Sequence, residues 1–105
     1  MNLFTCTARV ITIPELSFYK KKSLAQMIVC VQNNKKRSLW YYIYTKAQGK
    51  LAREIFNTCS RGDVIIMQGY MNIISKKVII NNNLRKKSFI NLRIKKIYPI
   101  RNINS

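Results

Sequence analysis

The sequence predicts an all-β fold with a single helix: a five-stranded barrel whose helix lies between the third and fourth strands. Three observations point there. Apolar and polar residues alternate at a period of two in segments on both sides of the chain's middle. One stretch, Gly49 to Arg61, changes to helical spacing. Residues that interrupt strands (Pro14, Gly62, Gly69, and the Lys and Asn triplets) recur at short intervals.

From Leu3 to Ile13 the even positions Phe4, Cys6, Ala8 and Val10 are apolar, with Thr5, Thr7 and Arg9 between them, which predicts a half-buried strand. Pro14 cannot donate to a ladder and interrupts it. Lys20-Lys21-Lys22 reads as an exposed hairpin tip, after which Ala25, Met27, Val29 and Val31 line one face of a second strand. Asn33 to Ser38 is a polar, basic loop, and Leu39 to Ala47 a third strand dense in aromatic and β-favouring residues. Leu51, Ala52, Ile55, Phe56 and Cys59 then share one stripe of a helix, which Gly62 terminates. Val64 to Ile74 returns to strand character, with Gly69 marking a bend or bulge. Val78 to Ile80 and Ser88 to Ile97 form a closing pair around an Asn81-Asn82-Asn83 turn. In the last strand Ser88, Ile90, Leu92 and Ile94 face one way, and Phe89, Asn91, Arg93 and Lys95 the other. Residues 1–98 make one domain and 99–105 a short flexible tail. This order of elements is that of the five-stranded OB-fold barrel, a scaffold that commonly holds oligonucleotides.

Charge bounds the function. The chain has 20 Lys and Arg, 3 Asp and Glu and no His, a formal net charge of +17. The acids, Glu15, Glu54 and Asp63, are too few and scattered for a paired-carboxylate hydrolase or a two-metal site. Without His there is no Ser-His or Cys-His relay and no imidazole ligand. No catalytic residue, metal, cofactor or small-molecule substrate is therefore expected; the expected partner is a polyanion. The 16 Ile, 13 Lys and 11 Asn point to an AT-rich gene, so part of the lysine excess is base-composition drift. Drift does not explain the shortage of acids, which is the informative half of the balance.

Cys6, Cys30 and Cys59 are far apart and form no CxxC pair, so free thiols in a reducing compartment are expected. No apolar run approaches the ~20 residues of a membrane span. Met1 to Val10 alternates like a strand and lacks a signal-peptide profile, so no presequence is expected.

The third strand carries the clearest binding pattern. Trp40, Tyr42, Tyr44 and Lys46 are spaced by two and project from one face, while Leu39, Ile43, Thr45 and Ala47 suit a barrel core. Rings in a row beside a cation can stack bases of any sequence while the ammonium meets phosphate. The same rings would also serve to cover a dimer interface or the helix. Tyr70 and Phe89 would extend this platform if they face outward, with the core or an interface as the preferred assignment. Four basic clusters fall where loops are expected: Lys20 to Lys22, Lys35-Lys36-Arg37, Lys76-Lys77 and Arg85-Lys86-Lys87. Arg9 completes the candidate nucleic-acid-binding set.

Met1-Asn2-Leu3-Phe4-Thr5 with Arg9-Val10, followed by Pro14-Glu15-Leu16, resembles the opening of bacterial-type single-stranded DNA-binding proteins, the SSB family. Gly49-Lys50-Leu51-Ala52 is similar to that family's helix start, and Arg61-Gly62-Asp63-Val64-Ile65 with Gly69 to its entry into the fourth barrel strand. Order and spacing agree over Met1 to Tyr98. The resemblance implies a barrel that wraps single-stranded DNA by aromatic stacking and basic grooves, usually as a homo-tetramer. It places a family aromatic at Tyr42, whereas Lys35, Gln48 and Lys76 stand where other members carry stacking rings. An acidic C-terminal tip that recruits replication and repair proteins has no counterpart in Arg101-Asn102-Ile103-Asn104-Ser105. An AT-rich gene without a presequence also resembles the divergent SSB-like proteins of plastid genomes. That implies an organelle-encoded chloroplast protein, with a bacterial cytoplasm as the alternative.

The expected function is non-catalytic binding of single-stranded DNA in replication, repair or recombination, as a homo-oligomer and away from membranes. Two alternatives stay open: an RNA- or ribosome-associated OB-domain, and a degenerate SSB-like accessory subunit of a replication complex.

Overall fold

The alternation at the N-terminus becomes β1 (Leu3–Val10), which buries Ala8 and Val10 and turns Thr5, Thr7 and Arg9 to solvent. The computed structural model describes residues 3–32 and 40–100, and Gln32 and Trp40 by backbone alone. The first strand stops three residues short of Ile13. Ile11 and Thr12 both donate their N–H to the Ile28 carbonyl, and Ile28 N–H donates to Thr12 Oγ1 at 2.9 Å. A threonine hydroxyl thus stands in for a ladder carbonyl and redirects the chain. Beyond it β2 (Glu15–Tyr19) and β3 (Lys22–Gln32) form a hairpin around Lys20-Lys21. Both turn lysines have positive φ, 49° and 65°.

Strand β4 (Trp40–Gln48) runs antiparallel to β3 and buries Ile43, Thr45 and Ala47. The buried Thr45 hydroxyl donates to the Met27 carbonyl at 2.8 Å, so it brings no unpaired polar group into the barrel. Helix α1 (Lys50–Thr58) buries Ala52 and Ile55 against the barrel, with Cys59 just past its end, but leaves Phe56 of the predicted stripe exposed. The long strands β5 (Val64–Ile80) and β6 (Asn83–Pro99) complete the fold.

Among the described residues there are six strands and one helix, of which five strands close the barrel. The closed order is β1-β5-β6-β4-β3, returning to β1, with β4 and β6 parallel and the other neighbours antiparallel. This is the predicted OB-fold. The sixth strand, β2, is a hairpin partner of β3, so the helix follows the fourth strand in chain order but the third of the barrel. The ladder between β1 and β3 has two residue pairs, Arg9 with Cys30 and Val10 with Val29, extended by the bonds of Ile11 and Thr12 with Ile28. Val10, Val29, Ile43, Ile55, Ile65, Met67 and Leu92 fill the interior.

The predicted irregularity at Gly69 is present as a register shift between Gln68 and Gly69, which leaves Lys95 of β6 unpaired. A Cβ at Gly69 would collide with the Arg93 carbonyl oxygen. The two backbones approach too closely for any side chain, and this permits the tight curl of the barrel.

The sequence expectation of a break between Ile74 and Val78 is corrected. β5 runs straight through Ser75-Lys76-Lys77, and β6 begins at Asn83 rather than Ser88. The turn is the two-residue Asn81-Asn82, with φ of 51° and 64°, values that asparagine tolerates well. Lys76, Lys77, Arg85, Lys86 and Lys87 therefore lie on paired strands and not in loops. At the other end, Ile100 N–H donates to the Val64 carbonyl at 3.0 Å, so the chain stays tied to the barrel past Tyr98. Residues 101–105, most of the expected tail, lie outside the described residues.

Candidate nucleic-acid interface

Once Ile43, Thr45 and Ala47 point into the barrel, Tyr42, Tyr44 and Lys46 must point out, because successive strand residues alternate. Parallel pairing then sets Tyr44 beside Asn91 and Lys46 beside Arg93, and β5 continues the rows with Asn72 and Tyr70. The outer face of β4, β6 and β5 is thus one surface.

Two aromatic clusters on this surface carry cations. The Phe89 ring meets Tyr44 edge-on, with centroids 6.0 Å apart and planes at 63°. Lys76 and Lys87 place their ammonium groups 5.8 Å and 5.5 Å from the same Phe89 ring. On Tyr70, the Arg93 guanidinium lies 5.4 Å and the Lys95 ammonium 5.8 Å from the ring centre. Open grooves flank the Tyr44–Phe89 pair. One, of about 620 Å³, is bordered by Gln26, Lys46, Lys76 and Asn91; the other, of about 450 Å³, by Ile28, Tyr42 and Lys87. Rings, amides and ammonium groups around an open trough can stack bases, bond their edges and neutralise phosphates.

Of the three acids, Glu15 lines the larger groove, Glu54 lies on α1, and Asp63 accepts the Ser60 N–H at 2.8 Å in the turn before β5. Cys30 and Cys59 are buried and Cys6 half-buried, all as free thiols. Burial pushes the Cys6 and Cys59 thiols up; at Cys59 a hydrogen bond with the Thr58 hydroxyl opposes this and the Asp63 charge adds to it. Among the described residues no cluster of three or more His, Cys, Asp or Glu side chains could hold a metal, and no helix is long and apolar enough to cross a membrane.

The structure gathers Tyr42, Tyr44, Lys46, Lys76 and Lys87 on one surface. Lys77 and Lys86 pair with each other on the opposite side of the β5–β6 ribbon. Arg9 is exposed in β1, in the same cross-strand row as Cys30 and Tyr42, about 10 Å from Tyr42 at two strand spacings. Lys35, Lys36 and Arg37 lie outside the described residues, as does the Trp40 side chain, although the Trp40 backbone pairs with Gln32.

Phe89 and Tyr70, for which the sequence favoured the core or an interface over an extension of the platform, face outward and anchor the two clusters, joined by Arg93 and Lys95. The period-two pattern of β6 already set Phe89, Arg93 and Lys95 on one face. What it lacked was the identity of the neighbouring strand. At Lys76, where the resemblance implies a lost ring, Phe89 supplies one within 6 Å across the ribbon.

No family model matches the sequence, and no curated protein matches it. Solved structures do. The SSB domain of a protein from Synechococcus sp. superposes with a TM-score of 0.72 at 18% identity, covering 93% of this chain and 94% of that one. The small single-stranded DNA-binding protein of Streptomyces coelicolor superposes with a TM-score of 0.71 at 14% identity, covering 95% and 96%. Over nearly its whole length, the chain has the fold of these single-stranded DNA-binding domains.

Proposed function

We propose that the chain binds single-stranded DNA without catalysis, along the outer face of β4, β6 and β5. One observation carries the reading: two lysines paired directly across the ribbon, Lys76 and Lys87, both lie over the Phe89 ring, which in turn abuts Tyr44. Like charges placed opposite each other destabilise a sheet. Their presence around an outward ring is accounted for by an anion that carries flat bases. Tyr42, Tyr44 and Phe89 are the stacking groups, at about 1–3 kcal/mol per base. Lys46, Lys76, Lys87 and Arg93 meet phosphates, each contributing a salt slope of about −0.7. Arg9 extends the same surface, and Trp40, Lys35, Lys36 and Arg37 join the proposed set on the sequence pattern alone. The fold shared with single-stranded DNA-binding domains supports the reading. Service in replication, repair or recombination, as a homo-oligomer, is the role proposed with it.

The test is quenching of Trp40 fluorescence by oligo-dT, oligo-U and a blunt duplex at two salt concentrations. Oligo-dT should quench most strongly, with affinity falling steeply as salt rises. Tighter binding of oligo-U would instead make RNA the ligand, because the 2′-hydroxyl distinguishes the two. No response to any probe would overturn the proposal.

A further inference from the structure

The β5–β6 ribbon has a second face that the single-strand platform does not use. Among the described residues, β5 pairs with β1 only as far as Tyr70, and β6 pairs with β4 only from Ile90 onward. Six rungs, from Ser75 with Ser88 to Ile80 with Asn83, therefore stand clear of the barrel. At about 3.4 Å per rung they project roughly 17 Å. Lys76, Lys87 and Arg85 occupy the front of this arm, continuous with Phe89. The back is built differently. From the tip inward it carries the pairs Ile79 with Leu84, Lys77 with Lys86, and Ser75 with Ser88, whose hydroxyl oxygens lie 3.3 Å apart. Ile79 and Leu84 are 75% and 66% exposed.

We infer that this arm is a pin that enters a single-strand/duplex fork, its front on one strand and its back on the other. Cations on both faces, with no acid between Val64 and Ser105, fit an anion on both sides. A single strand bound on the platform meets one face only. The back face has no aromatic ring, so it grips a backbone and does not stack bases; the Lys77–Lys86 pair and the two serine hydroxyls suit phosphate oxygens. Behind the Asn81-Asn82 turn, the last three rungs carry Ile79 and Leu84 on the back and Val78 and Ile80 on the front, paired with Arg85 and Asn83. Apolar side chains at the end of a basic arm wedge against base pairs and unstack them. A second copy of the arm is a poor occupant, because it would bring five further cations against these five. The front-face half of the inference rests on the single-strand reading above; the back-face contact does not.

The experiment uses the full chain and a forked duplex with two oligo-dT arms, carrying 2-aminopurine at the junction pair. Oligo-dT of one arm's length and a blunt duplex are the controls. The fork should bind at least tenfold more tightly than oligo-dT, and 2-aminopurine fluorescence should rise as its base unstacks. Lys77→Ser with Lys86→Ser should abolish the fork advantage and lower the salt slope by about 2, leaving oligo-dT affinity within twofold. Ile79→Ser with Leu84→Ser should remove the fluorescence rise alone. Both double variants change exposed positions, and an unchanged thermal midpoint confirms folding. Failure to bind oligo-dT with the fork still bound would sink the single-strand reading and the front-face half of the pin, and spare the back-face contact. Equal affinity for fork and oligo-dT would overturn the pin. So would equal losses on both probes, or dissociation of a homo-oligomer by the Ile79 and Leu84 changes.

Discussion

Phe89→Ala separates stacking from charge on the platform. Removing the ring deletes one stacking surface, worth about 1–3 kcal/mol for each base held. At 1.4 kcal/mol per tenfold, oligo-dT affinity should fall by about 5- to 150-fold. The ring is half-buried and in edge contact with Tyr44, so stability also drops, by about 2 kcal/mol, half the cost of a fully buried Phe→Ala change. That shifts the thermal midpoint by roughly 10 °C, so titrations belong near 20 °C. The discriminating quantity is the salt slope. Phe89→Ala removes no charge and should leave the slope of log affinity against log salt unchanged. Lys76→Ala with Lys87→Ala removes the two ammonium groups over that ring and should reduce the slope by about 1.4. Phe89→Trp should retain affinity. Fluorescence anisotropy of labelled oligo-dT at four or five salt concentrations measures both quantities. A loss below threefold for Phe89→Ala would refute the reasoning, as would a change of slope as large as that of the double lysine variant.

Three further outcomes concern the scaffold. Gly69→Ala should destabilise by about 1–3 kcal/mol, near the upper end, because its Cβ also falls 2.9 Å from the Arg93 carbonyl carbon and only backbone can yield; denaturant unfolding measures it. Lys20→Asn with Lys21→Gly should stabilise by about 1 kcal/mol and raise the thermal midpoint, since both lysines hold left-handed φ that the replacements accept freely. Folding raises the Cys6 and Cys59 thiols above the ordinary value of 9.0, chiefly by burial. Their native state keeps its protons longer than the unfolded chain, so their effect on stability is absent at neutral pH. Stability should fall as pH climbs from about 9 through the raised values, and Cys59→Ser should flatten that decline in an alkaline unfolding series.

The barrel was legible wherever a strand has one wet and one dry face. Val10, Ile43, Thr45 and Ala47 in β1 and β4 took the predicted sides, and so did Leu92 and Ile94 in β6. The helix declared itself through Ala52, Ile55 and Cys59, and Gly69 through its isolation in an apolar run. The ribbon was not legible in the same way. Ser75, Lys76 and Lys77 have no buried face to alternate with, so they read as a loop although they are paired throughout. The facing of Phe89 stayed open for a different reason. Its partner Tyr44 arrives through the parallel pairing of β4 with β6, a neighbour relation between segments more than forty residues apart, which no local period encodes. Thr12 gave no signal, because substituting a hydroxyl for a ladder carbonyl leaves no mark on composition.

The two-pair junction between β1 and β3 sets where the cylinder yields. Every other neighbouring pair in the barrel shares at least four rungs, and β5–β6 shares sixteen. Local opening takes the route that breaks the fewest bonds, so the amides of Ile11 and Ile28, bonded across this junction, should exchange with solvent before those of Ile65 or Leu92. Cys30, buried at that junction, gives the barrel a built-in reporter: the rate at which a thiol reagent labels it counts the openings. Tyr42 of the proposed platform pairs with Cys30 at this same junction, so a single strand seated on that ring should slow the labelling.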